Sequence, residues 1–395
     1  MATPIPINNY TKITFRMLRR TIPRINIKYG IDDLLLVIKL FFRKRLPPDT
    51  NKFYVNHART GLRIALTALN LPKNAKVGVM AYNCYSVMSA VKAAGFKIEF
   101  IDITTSFGMD MEDLISKKAN LSAIIVTHLF GVVNDIELIK SICVDVPIIE
   151  DCAHAYLSES DKGQVAGSMG DIAVYSIGQG KFPAIGNGGY MQVNNKCLLD
   201  GVEAEIAKLS AYSIVSELKN IAQGSMMGIM HHPFIYGSVT RPFIKKPSNK
   251  SNDSWKHVNR EAQILNSNLL MFQSQKEKYV DFLKKQRDVA NKYSQVFLKS
   301  SMSKDIIWNL SLRSNCFMFP ILIEDGSKLI SAFLEKGVEV GSHFSRSIEW
   351  ASYFGYIEGN CPVAEKVAKA NVIIPCHYNL SANEINLIVS IILSL

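Results

Sequence analysis

From about residue 51 to residue 200, short unbroken apolar runs alternate with stretches whose apolar residues recur every three or four positions. The runs AIIVT (Ala123–Thr127) and VPIIE (Val146–Glu150) predict strands buried on both faces, because a half-exposed strand would alternate apolar with polar residues. Similar patterns predict strands at Val77–Ala81, Lys97–Ile101, Asp171–Ile177 and Gly189–Val193. Helical spacing fills the gaps. Residues 60–70 place Leu62, Ala65, Leu66 and Leu69 on one face before Leu71-Pro72 ends the pattern. Val87–Ala94, Met111–Lys118 and Asp135–Ile142 predict three more helices. Regular alternation of buried strand and helix predicts an α/β domain, a mostly parallel sheet between two helical layers.

Beyond residue 200 the pattern loosens. Residues 207–258 read as an insertion: an apolar, Met-rich stretch, AQGSMMGIMHHPFIYG, runs into a polar linker, RPFIKKPSNKSNDSWK. A long helix is predicted over Ala262–Leu298. A strand at Cys316–Ile323, a helix at Lys328–Lys336 and a final helix from Ala382 then predict a small C-terminal α/β domain. The expected organisation is a basic extension at 1–50, a large domain at 51–258 and a small domain at 259–395.

Composition narrows the class. With 395 residues, 48% hydrophobic and 20% charged, the chain suits a two-domain globular protein and excludes global disorder. The net charge of +11 is concentrated at one end: residues 1–50 hold ten Lys or Arg against three Asp, a net +7. No nucleic-acid-binding motif accompanies this charge. The basic stretch at 13–45 is expected to be an amphipathic helix packed on the protein, with peripheral contact to an anionic membrane as the sharper alternative. The seven cysteines include no CxxC pair, which argues against a zinc site or a disulfide framework. No apolar run resembles a secretory signal, so a reducing cytoplasm is the expected location.

The candidate chemistry gathers at strand ends. VPIIE leads into EDCAHA, which puts Asp151 and His154 at the carboxyl end of a parallel strand, where α/β sheets bind ligands. Lys181 lies in a glycine-rich turn, GQGKFPAIGNGG, five residues after Ser176. An acid able to protonate a ring nitrogen, a reachable lysine and a small hydroxyl suit a pyridoxal phosphate site. Arg59-Thr60-Gly61, at the start of a helix, offers a phosphate cradle.

These motifs, in this order, resemble the DegT/DnrJ/EryC1/StrS family of sugar aminotransferases, of the fold-type-I pyridoxal phosphate superfamily. The resemblance runs from about Asn56 to the C-terminus through ARTGLRIAL, MAYNCYSVMSAVKAAGFKIEFIDI, EDCAHA, AGSMGDIAVYSIGQGK, GNGGYM, QKEKYVDFLKKQRDVANKY and PCHYNLSANE. It implies that Lys181 is the Schiff-base lysine and acid–base catalyst and that Asp151 pairs with the pyridine nitrogen. It also implies that His154 lies beside the ring and that Ser176 and the Arg59-Thr60 backbone hold the phosphate.

Several positions depart from the family pattern. Ala58-Arg59 replaces the usual Gly-Thr, and Cys84 stands where an aromatic side chain stacks on the cofactor, with Tyr82 and Tyr85 as possible substitutes. Glu261-Ala262-Gln263 replaces a common Asn-Tyr-Arg stretch that reaches the partner subunit. The substrate loop reads His343-Phe344-Ser345, with Arg346 and Glu349 following. The implied activity is transfer of an amino group, from L-glutamate, to a nucleotide-linked keto sugar by a homodimer. The competing expectation is a family member that has lost the chemistry and serves as a membrane-associated regulatory or assembly protein.

Overall fold

The structure, a computed structural model, describes residues 50–230, 260–300 and 313–395, together with the single positions 35 and 235. Apart from position 35, the helix expected within 13–45 lies outside the described residues, as does the linker at 241–256.

Seven strands form the main sheet: β1 (Lys52–Val55), β2 (Lys76–Met80), β3 (Lys97–Ile101), β4 (Ala123–Thr127), β5 (Ile148–Asp151), β6 (Ile172–Ser176) and β7 (Gly189–Val193). Their spatial order is β1-β7-β6-β5-β4-β2-β3. Strands β2 to β6 are parallel, and β7 and β1 close one edge in antiparallel register. Alternate side chains of the same strand enter opposite layers. Ile125, Ile149, Ile172 and Val174 pack against Leu62, Ile64 and Val87 of α1 (Ala58–Ala68) and α2 (Tyr85–Ala93). Ile124, Val126 and Ile148 pack with Leu114, Ile136 and Ile139 of α3 (Met111–Lys117) and α4 (Ile136–Ile142). Burial on both faces is why these strands carry unbroken apolar runs.

The pattern did not disclose β1. Its four residues, KFYV, bury only every second side chain, as an edge strand can. After β7 come α5 (Leu199–Ala207) and α6 (Ile214–Met230), the latter in the part of the chain read as an insertion. The long helix expected over 262–298 is two helices, α7 (Asn266–Ser274) and α8 (Tyr279–Lys299), separated by a 3₁₀ turn at Lys276–Lys278. At the break the buried Tyr279 hydroxyl donates to the Phe272 carbonyl at 3.1 Å, supplying a partner that the uninterrupted helix would otherwise provide. The start of α7 is capped from another helix: Glu217 of α6 accepts from Asn266 N at 2.7 Å and Ser267 N at 3.0 Å.

The C-terminal part pairs β8 (Met318–Leu322) with β9 (Asn371–Pro375) in antiparallel register. Around this pair lie α9 (Ser327–Glu335), α10 (Ser347–Tyr353), α11 (Pro362–Ala370) and α12 (Ala382–Leu393). Ser381 and Glu384 form a reciprocal capping box on α12. Asp102, just beyond β3, accepts from Val363 N at 3.0 Å and Ala364 N at 2.8 Å, so a carboxylate of the main sheet caps α11. Among the described residues no helix is long and apolar enough to cross a membrane.

Candidate active site

Register aligns the polar strand ends. Thr127 lies opposite Asp151, and Asp151 opposite Val174, so β4, β5 and β6 release their next residues along one edge of the sheet. That edge opens into a pocket of about 190 Å³ lined by Asp151, His154, Ser176, Lys181, Cys84 and Arg59, among others.

Asp151 is buried and doubly held. One oxygen accepts from Ala153 N at 3.0 Å, and the other from the Thr127 hydroxyl at 3.3 Å. Thr127 itself accepts from the Asn83 amide at 2.8 Å. Burial pushes the Asp151 carboxyl above the usual carboxylate range, against the pull of the Ala153 N–H and the Lys181 charge. A carboxylate in this position is stabilised by any cation that shares the pocket.

Lys181 is presented by its glycines. Gly178 and Gly186 bridge across the turn, and Gly180 adopts φ of 75°, a left-handed conformation that side chains resist. The amine reaches His154 Nε2 at 2.6 Å. Burial pulls the Lys181 amine below the ordinary lysine range, opposed by Cys84 and Asp151. His154 is buried too, and burial, followed by the charge on Lys181, holds its ring well below the usual histidine range. Phe344 stacks on that ring at 5.5 Å and 7°.

The opposite end of the pocket is the N-terminus of α1. Its N-cap, His57, makes no side-chain cap bond; its carbonyl accepts from Thr60 N at 3.0 Å, and no cap side chain serves the N–H groups of Ala58 and Arg59 ahead of it. Gly189 lets the helix approach the sheet, because a Cβ there would lie 2.8 Å from Ala58 N and 2.7 Å from Tyr175 O. The Arg59 guanidinium lies 5.4 Å over the Tyr85 ring.

The expected residues therefore do not all arrive in the same way. Thr60 is buried, and its hydroxyl donates to Asn56 at 3.0 Å, so only its backbone belongs to the helix start. Of the two aromatic neighbours of Cys84, Tyr85 lines the pocket whereas Tyr82 does not. The Tyr82 hydroxyl is committed to the His343 carbonyl at 2.5 Å and the Asn371 amide at 2.6 Å. Arg346 pairs with Glu349 at 2.7 Å and is not among the lining residues. Both carboxylate oxygens of Glu261 accept from Arg63 Nε, at 2.7 and 2.8 Å.

Sequence reasoning missed His57, Asn83 and Thr127, which line the pocket, whereas Phe344 of the substrate loop also lines it. Thr127 had a readable signal, a polar residue closing an apolar strand, as Asp151 does.

His128, Glu150 and Cys152 lie close enough to suggest a metal centre. Their bonding argues otherwise. Glu150 already accepts from His128 at 2.9 Å and from the N–H groups of Gly167, Met169 and Gly170. Burial alone would raise its carboxyl, yet these donors hold it below the usual range. The cluster is a structural brace for the loop at 167–170.

A mostly parallel seven-stranded sheet in this order, with helices on both faces and a pocket at the strand ends, is the α/β fold shared with solved aminotransferases. Residues 51–393 match the DegT/DnrJ/EryC1/StrS aminotransferase family, and the chain belongs to that family. Among its relatives, UDP-4-amino-4,6-dideoxy-N-acetyl-beta-L-altrosamine transaminase of Campylobacter jejuni is 24% identical over 342 residues, 84% of this chain and 81% of that protein. GDP-perosamine synthase of Escherichia coli O157:H7 is 31% identical over 150 residues, 37% of this chain and 41% of that one. The aminotransferase TlmJ from Streptoalloteichus hindustanus shares the fold, with a TM-score of 0.70 at 18% identity over 94% of this chain and 98% of that one. The sugar aminotransferase CalS13 of Micromonospora echinospora covers all of this chain and 98% of its own, with a TM-score of 0.67 and 18% identity.

Proposed function

We propose that this protein is a pyridoxal phosphate-dependent aminotransferase that delivers an amino group to a keto group of a nucleotide-linked deoxysugar. The observation that carries the reading is one pocket holding a lysine amine, a buried carboxylate and an uncapped helix start. The names of the curated relatives, a UDP-linked and a GDP-linked sugar enzyme, support the substrate class.

The residues present fit the cofactor. Asp151, buried with a raised carboxyl, is suited to a ring nitrogen that becomes cationic when protonated. The α1 N-terminus, Ser176 and Arg59 would hold the phosphate, and Cys84 and His154 would flank the ring. When bound, pyridoxal phosphate supplies an electron sink for the bond-breaking at the amino carbon.

The chain's residues do the rest. Lys181 Nζ, kept weakly basic by burial, would bind the cofactor as a nucleophile and, when free, would carry a proton to and from the substrate carbon. Asp151 would hold the positive ring nitrogen, and His154, 2.6 Å from Nζ, would orient Lys181. L-glutamate as donor and a homodimer as the working unit complete the reading, as the family resemblance implies. The competing role as an assembly protein without chemistry has less support, since Asp151, Ser176 and Lys181 remain gathered in the pocket.

Absorption spectroscopy tests the reading. Pyridoxal phosphate added to the wild type should produce a visible band that L-glutamate bleaches, while Lys181→Ala should give no such band. A band of equal strength in Lys181→Ala would remove that lysine from the chemistry. A wild-type band untouched by any amino donor would favour the non-enzymatic role.

A further inference from the structure

The two ring nitrogens of His154 face different kinds of partner. Nδ1 faces the main-chain N–H of Phe130 at 3.3 Å, and Nε2 faces Lys181 Nζ at 2.6 Å. An amide N–H can only donate, so Nδ1 must supply the lone pair. In an uncharged imidazole the proton then sits on Nε2, directed at the lysine. An ammonium at Lys181 would set donor against donor across that contact, whereas a free amine has a lone pair to receive the proton.

We propose that the Phe130 N–H is a positioning group for the catalytic lysine. It fixes His154 as the Nε2–H tautomer, and that tautomer selects the uncharged, nucleophilic form of Lys181.

The surrounding structure holds this peptide in a conformation it would not choose by itself. Phe130 has φ of 53° and ψ of 18°, a left-handed conformation that a bulky side chain disfavours. Its carbonyl accepts from the Ser314 hydroxyl at 3.0 Å. Gly131 follows at φ of 84°, with Ser314, Asn315 and Ser158 crowding the space where a Cβ would stand. The neighbouring Asn315 amide donates to the His154 carbonyl at 2.9 Å and the Tyr156 carbonyl at 3.1 Å. Ser314 and Asn315 thus hold both ends of the Phe130–His154 contact.

The imidazole is boxed in as well. Phe344 stacks on it, and the rings of Phe317 and His343 lie 5.4 and 5.3 Å away. Exchanging the two nitrogens by a ring flip would require these groups to move.

The catalytic consequence rests on Lys181 being the cofactor's lysine, but the tautomer does not, so the two can fail separately. Full-length protein labelled with [15N]histidine and stripped of cofactor would be studied by NMR at neutral pH, with His154 assigned by subtracting the spectrum of His154→Gln. We expect a pyridine-type shift at Nδ1 and a pyrrole-type shift at Nε2, in both the wild type and Lys181→Ala. An Nδ1–H tautomer or an imidazolium in the wild type would overturn the proposal. So would a tautomer that changes when Lys181 is removed, since the lysine would then be setting the ring and not Phe130.

Discussion

His57 shows how one side chain can work against the helix it begins. Burial, reinforced by the nearby Arg59 charge, lowers its ring from the ordinary 6.5 to about 4. Below pH 6.5 the unfolded chain therefore takes up a proton that the folded chain declines, and stability falls as pH falls toward 4. His57→Asn removes that titration and supplies an oxygen able to cap α1. In cofactor-free protein we expect a gain of about 1 kcal/mol at pH 7. The margin over wild type should widen at pH 5, read as thermal unfolding at the two pH values. A margin that narrows on acidification would mean His57 is charged in the folded state. At this scale the sequence was informative where a residue's neighbours in the chain are also its neighbours in space. EDCAHA fixed Asp151 and His154 at a strand end, and the glycines around Lys181 marked its turn. Tyr82 was misleading for the opposite reason. Its hydroxyl is claimed by residues 343 and 371, far away along the chain.

At the scale of elements, the meeting of α1 with β6 and β7 decides whether a phosphate cradle exists. Gly189 pairs with Ser176 on one side and Val55 on the other, and its bare Cα faces the backbone of Ala58. In Gly189→Ala the added methyl would press on two main-chain atoms, neither of which can rotate away. We expect a loss of about 1–3 kcal/mol in stability. The affinity for pyridoxal phosphate should weaken more than that for pyridoxal, because the displaced helix start concerns the phosphate. Equal weakening of both would place the phosphate elsewhere. The parallel strands were legible because each is an unbroken apolar run buried on both faces. The edge strand β1, only four residues long, gave too little alternation to read, and apolar spacing does not disclose the break between α7 and α8, where the Tyr279 hydroxyl meets the Phe272 carbonyl.

Across the whole molecule, the C-terminal part shares a hydrophobic core with one face of the main sheet, Val367 and Ile373 lying in the same cluster as Ile101 and Val126, and polar contacts of long range add to it. Asp102 is the clearest: it caps α11 across 261 residues of chain. Asp102→Ala should cost about 1–2 kcal/mol, as loss of a helix cap does, measured by urea unfolding. An unchanged midpoint would show that water caps α11 equally well. Sequence periodicity is silent on such contacts, since nothing local to Asp102 or Val363 hints at the other. The family resemblance supplied the overall arrangement that local patterns could not.

One chain of amides reaches from the least legible part of the protein to its most constrained turn. Asn220 of α6 donates to Asn268 of α7 at 2.8 Å, and Asn268 donates to the Asn187 carbonyl at 2.6 Å, six residues beyond Lys181. With Glu217 securing the start of α7, the three segments behave as a strut between α6 and the lysine turn. Two relatives could therefore differ in α6 alone, carry the same residues around the cofactor, and still hold the lysine at slightly different angles. For this architecture, inheritance of the pocket's side chains does not guarantee inheritance of its reactivity.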